Sequence, residues 1–127
     1  MKHRSLKIGI MSLEDYQKRT ILIAKGEYKP KPSEPKVFFP SLKAVSQILS
    51  EENRHLLKVI RETNPESIME LARTTKRAQS NLSRTLKKLA SYGIISLLEE
   101  NHKKKPVVKY TDFNVNCSID QKAFATV

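Results

Sequence analysis

A proline-rich stretch, YKPKPSEPKVFFPS, places the strongest constraint on how this chain can fold. Four prolines fall within eleven residues, from Pro30 to Pro40. Each proline lacks a backbone N–H and disfavours helical backbone in the residue before it, so neither a helix nor a central strand can run through the stretch. We therefore predict an extended linker over residues 29–40, which separates an N-terminal arm, residues 1–28, from a C-terminal module.

The arm has the pattern of one strand followed by one helix. SLKIGIMS alternates apolar residues with polar or small ones, which is typical of a half-buried strand. Ser12 and Asp15 have the spacing of a capping box, and Gly26 is a natural helix end. Such an arm buries too little apolar surface to fold alone. We expect it to form a dimer or bind a partner protein through Ile8, Ile10, Tyr16 and Ile23; packing within the same chain is the alternative.

The C-terminal module has the pattern of three or four short helices followed by strands. A helical tract starts near Ser41, breaks at Ser50 and ends before Asn64-Pro65. Ser67 caps IMELARTT, and after a short turn the next helix runs from about residue 78 to residue 92, where Gly93 ends it. The apolar runs IISLLEE and KPVVKYT flank NHKKK, which predicts a β-hairpin with a basic tip. FNVNCSI alternates and predicts a further strand with one buried face.

This order of elements predicts the fold class. Helix, short helix, turn, helix and two-stranded wing form a winged helix-turn-helix. The predicted class is mainly α with a small β-wing (α+β), preceded by the strand–helix arm. The predicted DNA-binding domain covers residues 41–115, and residues 116–127 form a C-terminal strand or tail.

Positive charge is concentrated in one part of the chain. The sequence has 24 Lys and Arg against 13 Asp and Glu, a net charge of +11. Residues 76–109 alone hold nine cations and two carboxylates, whereas residues 41–75 have no net charge. A localised basic region is typical of a nucleic-acid-binding protein. A basic surface that is only solvated is the alternative.

The helix within SNLSRTLKKLASYGII has two different faces. Leu82, Leu86 and Leu89 form an apolar face that suits a core. The opposite face combines short hydrogen-bonding side chains with cations, as a helix in a DNA major groove requires. Amides can pair with adenine and an arginine with guanine, which would supply about 1–3 kcal/mol of discrimination for each good pair. The predicted recognition-helix contacts are Gln79, Ser80, Asn81, Ser83, Arg84 and Lys87; an ordinary solvated face is the alternative.

A second set of residues is expected to contact phosphates without reading sequence. These residues lie in the turn before the helix, at its far end and in the wing. In the wing, lysines that keep a sheet edge soluble are the alternative. The predicted phosphate contacts are Lys76, Arg77, Lys88, His102, Lys103, Lys104 and Lys105.

Two stretches resemble a known family. SIMELARTTKRAQSNLSRTLKKLASYGII resembles the helix-turn-helix of MarR-type winged-helix regulators. The likeness lies in the apolar-Ala pair of the second helix, in Ser-Arg-x-Leu-Lys-x-Leu on the third, and in Gly with two apolar residues at the entry to the wing. KKKPVVKYTDF is similar to the return strand of small prokaryotic members. The resemblance covers about residues 41–115.

The resemblance implies a dimeric regulator that binds double-stranded DNA, and the single Cys117, which allows no internal disulfide, suits a reducing cytoplasm. Such a protein represses its own or a neighbouring promoter by occupying a short inverted repeat. The layout is also similar to short MarR-like proteins encoded next to a small partner, some of which are antitoxins, so a toxin is an expected partner. A glycine usually lies in the turn of that family. Here the turn reads Thr75-Lys76-Arg77, which predicts either a longer turn or a strained backbone at Lys76 and leaves the start of the recognition helix open by a residue or two.

Other classes of function have weaker signals. The histidines and Cys117 have no metal-ligand spacing, and no CxxC, HExxH or glycine-rich phosphate loop occurs. We therefore expect no enzyme activity, catalytic residue, metal or cofactor. The basic region has few aromatic residues, which disfavours RNA; a winged helix that binds only a protein is the alternative function. No apolar run approaches the roughly 18 residues of a membrane span, so no membrane partner is expected.

Overall fold

The computed structural model describes residues 3–119, which form an α+β structure and confirm that part of the prediction. The elements are β1 (Ser5–Ile10), α1 (Leu13–Ala24), β2 (Val37–Phe39), α2 (Leu42–Ile48), α3 (Glu51–Thr63), α4 (Ile68–Thr75), α5 (Gln79–Ser91), β3 (Ile95–Glu100), β4 (Lys103–Val108) and β5 (Asp112–Asn116). They belong to two compact units. The parallel-sheet unit comprises residues 5–47 and 112–119, and the hairpin unit comprises residues 3–4 and 48–111. Within residues 3–119, each helix is too short or too polar to cross a membrane.

Serine side chains fix the start of four helices. Each serine hydroxyl accepts a hydrogen bond of 3.1 Å from the backbone N–H three residues ahead: Ser12 from Asp15, Ser41 from Ala44, Ser50 from Asn53 and Ser67 from Glu70. The first turn of a helix leaves N–H groups without intrahelical acceptors, and a capping serine satisfies one of them. The predicted starts of α1, α3 and α4 are confirmed.

The parallel-sheet unit is built around β1. This strand lies in the centre of a three-stranded sheet and pairs in parallel with β2 on one side and β5 on the other. The prediction that residues 29–40 form only a linker is wrong for Val37–Phe39. Pro35 and Pro40 flank this strand without lying inside it, and an edge strand tolerates prolines at its ends.

The compact units also differ from the predicted division of the chain. β5 pairs with β1, from Ser5 with Asp112 to Gly9 with Asn116, although the predicted DNA-binding domain extends to residue 115. The hairpin unit begins at residue 48 and not at residue 41. Strands from the two ends of the described chain pair here, and such a long-range pairing has no local sequence signal. Within the described residues, residues 3–28 of the predicted arm therefore do not form an independent unit.

Two predicted interface residues are core residues of the chain itself. Ile8 is 0% exposed and Ile10 is 3% exposed, so a partner cannot reach either side chain, and the prediction is wrong for both. β1 is the central strand of its sheet, and central strands bury their apolar face within the chain. Ile23 is half-buried, and Tyr16 remains 44% exposed.

The C-terminal strand lacks the predicted buried face. β5 ends at Asn116; Phe113 is half-buried, whereas Val115, Cys117 and Ile119 are exposed. An edge strand of a small sheet has few neighbours to cover its apolar residues. The alternating pattern therefore predicted more burial of the β5 side chains than the structure shows. Residues 120–127, the rest of the predicted tail, lie outside the described residues.

The hairpin unit has one apolar core. α4 packs against α5, α3 and α4 contact β4, and α5 contacts β3. Leu82, Leu86 and Leu89 are each 0% exposed, which confirms the predicted core face of α5. Their spacing places them on one side of a helix with 3.6 residues per turn, so the remaining side of α5 faces outward.

The segment between α1 and β2 is held by Arg19, a cation that is only 8% exposed. Its guanidinium carbon lies 4.8 Å from the ring centre of Phe38 and 5.8 Å from that of Tyr28, within the range of cation–π attraction. The Tyr28 hydroxyl donates a hydrogen bond to the Glu34 carboxylate, which also accepts the backbone N–H of Lys31. These contacts give the segment a defined shape.

This arrangement predicts an acid-sensitive contribution to stability. Partial burial opposes ionisation of Glu34, but the Tyr28 hydroxyl, the Lys31 N–H and the Arg19 charge outweigh it and lower the pKa of Glu34 below 4.5. A group with a lowered pKa stabilises the fold fully above its unfolded-state pKa and loses that contribution as the pH falls through the folded-state pKa. We expect Glu34→Gln to be less stable than wild type at neutral pH and the difference to shrink below pH 4.5.

Urea unfolding of both chains, from neutral pH down to about pH 3, measures this difference. Glu27→Gln is the matched control, because Glu27 is exposed and lies in the same segment. A constant difference between wild type and Glu34→Gln across the acid range would contradict the assignment.

Candidate nucleic-acid interface

An open groove with a volume of about 360 Å³ lies in the hairpin unit. Its walls are the start of α4, one side of α5 and the turn between β3 and β4. The lining residues are Ser67, Ile68, Met69, Arg73, Gln79, Ser83, Lys87, His102, Lys103 and Lys104. Four of these side chains are cations and none is a carboxylate, so the groove is positive and rich in hydrogen-bonding groups.

Six of the predicted DNA contacts line this groove. Gln79, Ser83 and Lys87 follow one another at intervals of four residues and therefore form one stripe along α5. His102, Lys103 and Lys104 reach the same groove from the hairpin. Residues from two parts of the sequence that were predicted separately are thus neighbours in space.

Three other predicted contacts lie on the adjoining exposed side of α5. Ser80, Asn81 and Arg84 are exposed and do not line the groove. Arg84 Nη2 donates a hydrogen bond of 3.3 Å to Asn81 Oδ1. Lys88 is also exposed, further around the helix. The outward surface of α5 is therefore wider than the groove and carries the polar residues that the sequence pattern indicated.

The two predicted cations in the turn before α5 have different surroundings. Lys76 ends α4 with a left-handed backbone, φ +56°, so of the two alternatives the structure has the strained residue. Arg77 Nη2 lies 3.1 Å from Glu52 Oε1 of α3, and its side chain is only 29% exposed. A phosphate at Arg77 would compete with this carboxylate. α5 begins at Gln79, one residue after the predicted start.

The hairpin has a shorter tip than predicted. Asn101 and His102 alone form the turn, with φ values of +51° and +63°, as in a two-residue turn of type I′. The three lysines of the predicted basic tip therefore lie in β4. Across the hairpin, Lys103 faces Glu100, Lys104 faces Glu99 and Lys105 faces Leu98. Lys105 is half-buried and does not line the groove.

The start of α5 differs from the starts of α1, α3 and α4. Its N-cap residue is Ala78, which provides no side-chain hydrogen bond, and its first turn has no acidic residue. The N–H groups of this turn therefore keep an uncompensated partial positive charge. An anion at this end of the helix would complete the missing hydrogen bonds.

The contacts predicted from the sequence do not include α4. Met69 and Arg73 line the groove, and their spacing of four residues places them on one stripe of the helix. Ile68 and Leu71 face the core, so helical periodicity alone would have placed Met69 and Arg73 on the outside. Their position beside the groove stripe of α5 depends on how α4 packs against α5, and no sequence pattern indicates that packing.

Comparison with known proteins gives one match. A family model named HVO_A0114 matches residues 48–115, more than half of the chain. The chain belongs to the HVO_A0114 family. No curated protein and no solved structure is significantly similar to it. The HVO_A0114 segment contains every residue of the groove and extends into β5.

The groove is suited to binding a polyanion. It offers positive charge from Arg73, Lys87, Lys103 and Lys104, together with the amide of Gln79 and the hydroxyl of Ser83. Charged donors form the stronger hydrogen bonds with phosphate oxygens. Within residues 3–119, no group of three or more His, Cys, Asp or Glu side chains is placed to hold a metal ion.

Proposed function

We propose that this member of the HVO_A0114 family is a sequence-specific regulator of transcription that binds double-stranded DNA. In the proposal, α3 to α5 with the β3–β4 hairpin act as a winged helix-turn-helix of the MarR-like kind, with α5 as recognition helix and the hairpin as wing. The supporting observation is the groove: cations and hydrogen-bonding residues from α5 and the hairpin line it together, and no carboxylate is among the lining residues.

The contacts divide into two classes. Arg84 and Asn81 on the outward side of α5, and Gln79 in the groove, would read base edges in the major groove. Lys87, Arg73 and the β4 lysines would contact phosphates, as would the uncapped N–H groups at the start of α5. The cationic groups give affinity and salt dependence, while the amides and Arg84 give sequence preference.

The proposed regulator binds an inverted repeat as a dimer and represses its own promoter. Two-fold symmetric sites are the usual targets of helix-turn-helix proteins. Each copy carries a net charge of +11, so an apolar contact is needed to hold two copies together. α1 offers Leu13, Tyr16 and Ile21, which are 66%, 44% and 53% exposed. We propose that a second copy of the chain covers this face.

A single substitution tests the dimer. Ile21→Lys should convert the dimer into a monomer, because it places a further cation in an apolar contact between two positive chains. Sedimentation equilibrium of wild type and variant measures the oligomeric state. Lys25→Ile, which alters an exposed residue just after the helix, is the control and should stay dimeric. A monomeric wild type would contradict the proposed dimer but would not bear on DNA binding by the groove.

The proposed function is tested by fluorescence anisotropy on two DNA fragments, the sequence upstream of the gene and a scrambled control, each over a salt series. Tight binding to the upstream fragment, weak binding to the control and a steep salt dependence are the expected results. Equal binding to both fragments would reduce the protein to a non-specific DNA binder. Binding to neither would favour the alternative, a module that binds only a protein partner.

Ala78→Ser should separate stability from binding. Ala78 already has extended backbone, φ −62° and ψ 131°, so a serine there can cap α5 and add about 1 kcal/mol of stability. The same hydroxyl would occupy an N–H group that the proposal assigns to a phosphate. We therefore expect weaker binding to both DNA fragments together with a higher free energy of unfolding.

Thermal unfolding and anisotropy on the same samples measure the two effects. Ala78→Gly is the control, since glycine has no acceptor to compete with a phosphate. If Ala78→Ser raises stability but leaves DNA affinity unchanged, the start of α5 does not contact phosphates.

A further inference from the structure

A second basic surface lies in the parallel-sheet unit. We call residues 25–36, between α1 and β2, the proline–lysine loop. Its four lysines are all exposed: Lys25, Lys29, Lys31 and Lys36. The groove of the hairpin unit uses none of them.

The loop has two carboxylates, and one of them is turned inward. Glu34 is half-buried, accepts hydrogen bonds from the Tyr28 hydroxyl and the Lys31 N–H, and lies near Arg19. Its charge thus stabilises the loop itself. Among residues 3–119, no ion pair within 4.0 Å engages Lys29, Lys31 or Lys36. The outer surface of the loop is therefore dominated by positive charge.

The loop is also ordered before any partner binds. Proline fixes one backbone angle, so the three prolines at positions 30, 32 and 35 limit the conformations of the free loop. The Lys7 ammonium donates to the Ser33 carbonyl at 3.3 Å, and the Lys36 N–H donates to the Lys7 carbonyl at 3.1 Å. A preordered loop loses less conformational entropy on binding than a flexible one.

The chemistry of the loop selects one kind of partner. It lacks Asn, Gln and Arg, the side chains that read base edges in a bidentate manner. Its aromatic residue, Tyr28, is half-buried and bonded to Glu34, so it cannot stack on the bases of a single strand. What remains is a set of exposed ammonium groups, which contact phosphates as point charges.

We infer that the proline–lysine loop is a second, sequence-independent DNA-binding element that contacts the phosphate backbone of a duplex. The inference rests on the proposed function and extends it to the parallel-sheet unit. Lys29, Lys31 and Lys36 are the contact residues. The loop adds affinity and salt dependence to the complex, while sequence preference stays with α5.

The experiment compares two triple variants of the full chain. The loop variant carries Lys29→Gln, Lys31→Gln and Lys36→Gln; the control carries Lys18→Gln, Lys43→Gln and Lys58→Gln. All six lysines are exposed. Each variant replaces three of them, so both variants lower the net charge by the same amount. Both keep Glu34, Tyr28 and the backbone N–H of residue 31. Anisotropy on the upstream and scrambled fragments over a salt series gives the slope of log affinity against log salt concentration.

The loop variant should lose about 2–3 units of slope on both fragments, because each lost phosphate contact removes about 0.9. The control should keep the wild-type slope. A wild-type slope in the loop variant, or an equal loss in the control, overturns the loop inference and leaves the proposed function intact. Equal wild-type binding to both fragments removes the sequence-specific function, yet a slope lost only in the loop variant still supports the loop. A wild type that binds no DNA overturns both.

Discussion

Leu86→Ala should lower the free energy of unfolding by about 2–5 kcal/mol, which is the usual cost of removing a buried leucine side chain. Leu86 is 0% exposed and lies in the middle of the apolar face of α5. The substitution removes apolar contacts and leaves a cavity, because close-packed neighbours collapse only in part. A small domain has about 5–15 kcal/mol of total stability, so the loss is a large part of it.

Urea unfolding monitored by circular dichroism measures this loss. Leu98→Ala is the matched control, since Leu98 lies on β3 of the same unit but is 45% exposed. The control should cost clearly less because its side chain already contacts water. Equal effects of the two substitutions would show that α5 is not anchored through its leucine face.

Arg84→Ala should weaken binding to the upstream DNA by about 1–3 kcal/mol, or roughly five- to 150-fold, with a smaller effect on scrambled DNA. Arg84 is exposed at the centre of the outward side of α5, and its bond to Asn81 directs the guanidinium along the helix. A guanidinium that bonds two acceptors of guanine gives sequence preference, because other bases do not present the same pair. Anisotropy on both fragments measures the change in their ratio.

Two controls define the meaning of this result. Lys104→Ala should weaken binding to both fragments alike and reduce the salt slope by about one, as expected for a phosphate contact. Arg61→Ala removes an exposed arginine from α3 and should change little. If Arg84→Ala leaves the ratio between the two fragments unchanged, α5 does not read bases through Arg84, whatever its effect on total affinity.

Local sequence patterns predicted much of the hairpin unit. The serine caps of α3 and α4, the leucine face of α5 and the β3–β4 pairing depend on residues close together in the sequence, and the structure confirms each of them. The length of the hairpin turn was predicted less well. NHKKK looks like one basic tip, but Asn101 and His102 both adopt positive φ, which closes the turn in two residues and places the lysines in β4.

Only part of the candidate site could be predicted, because only part of it depends on local sequence patterns. Its contacts on α5 follow from helical periodicity, so Gln79, Ser83 and Lys87 could be named from the sequence. The contribution of Arg73 could not, because it depends on how α4 packs against α5. Arg77 shows the opposite case: the sequence presents a free cation, and the fold pairs it with Glu52.

The sequence by itself determined the helices, their caps, the location of positive charge and the α+β class, because each depends on neighbours within a few residues. Only the tertiary structure decided that β1 lies between β2 and β5, and hence that Ile8 and Ile10 are core residues. Gly9 illustrates the reason. A Cβ atom there would lie 2.7 Å from the Phe38 ring, a contact that exists only after the parallel strands have paired. Pairing between distant strands is selected by the packing of the whole sheet, and no short stretch of sequence carries that information.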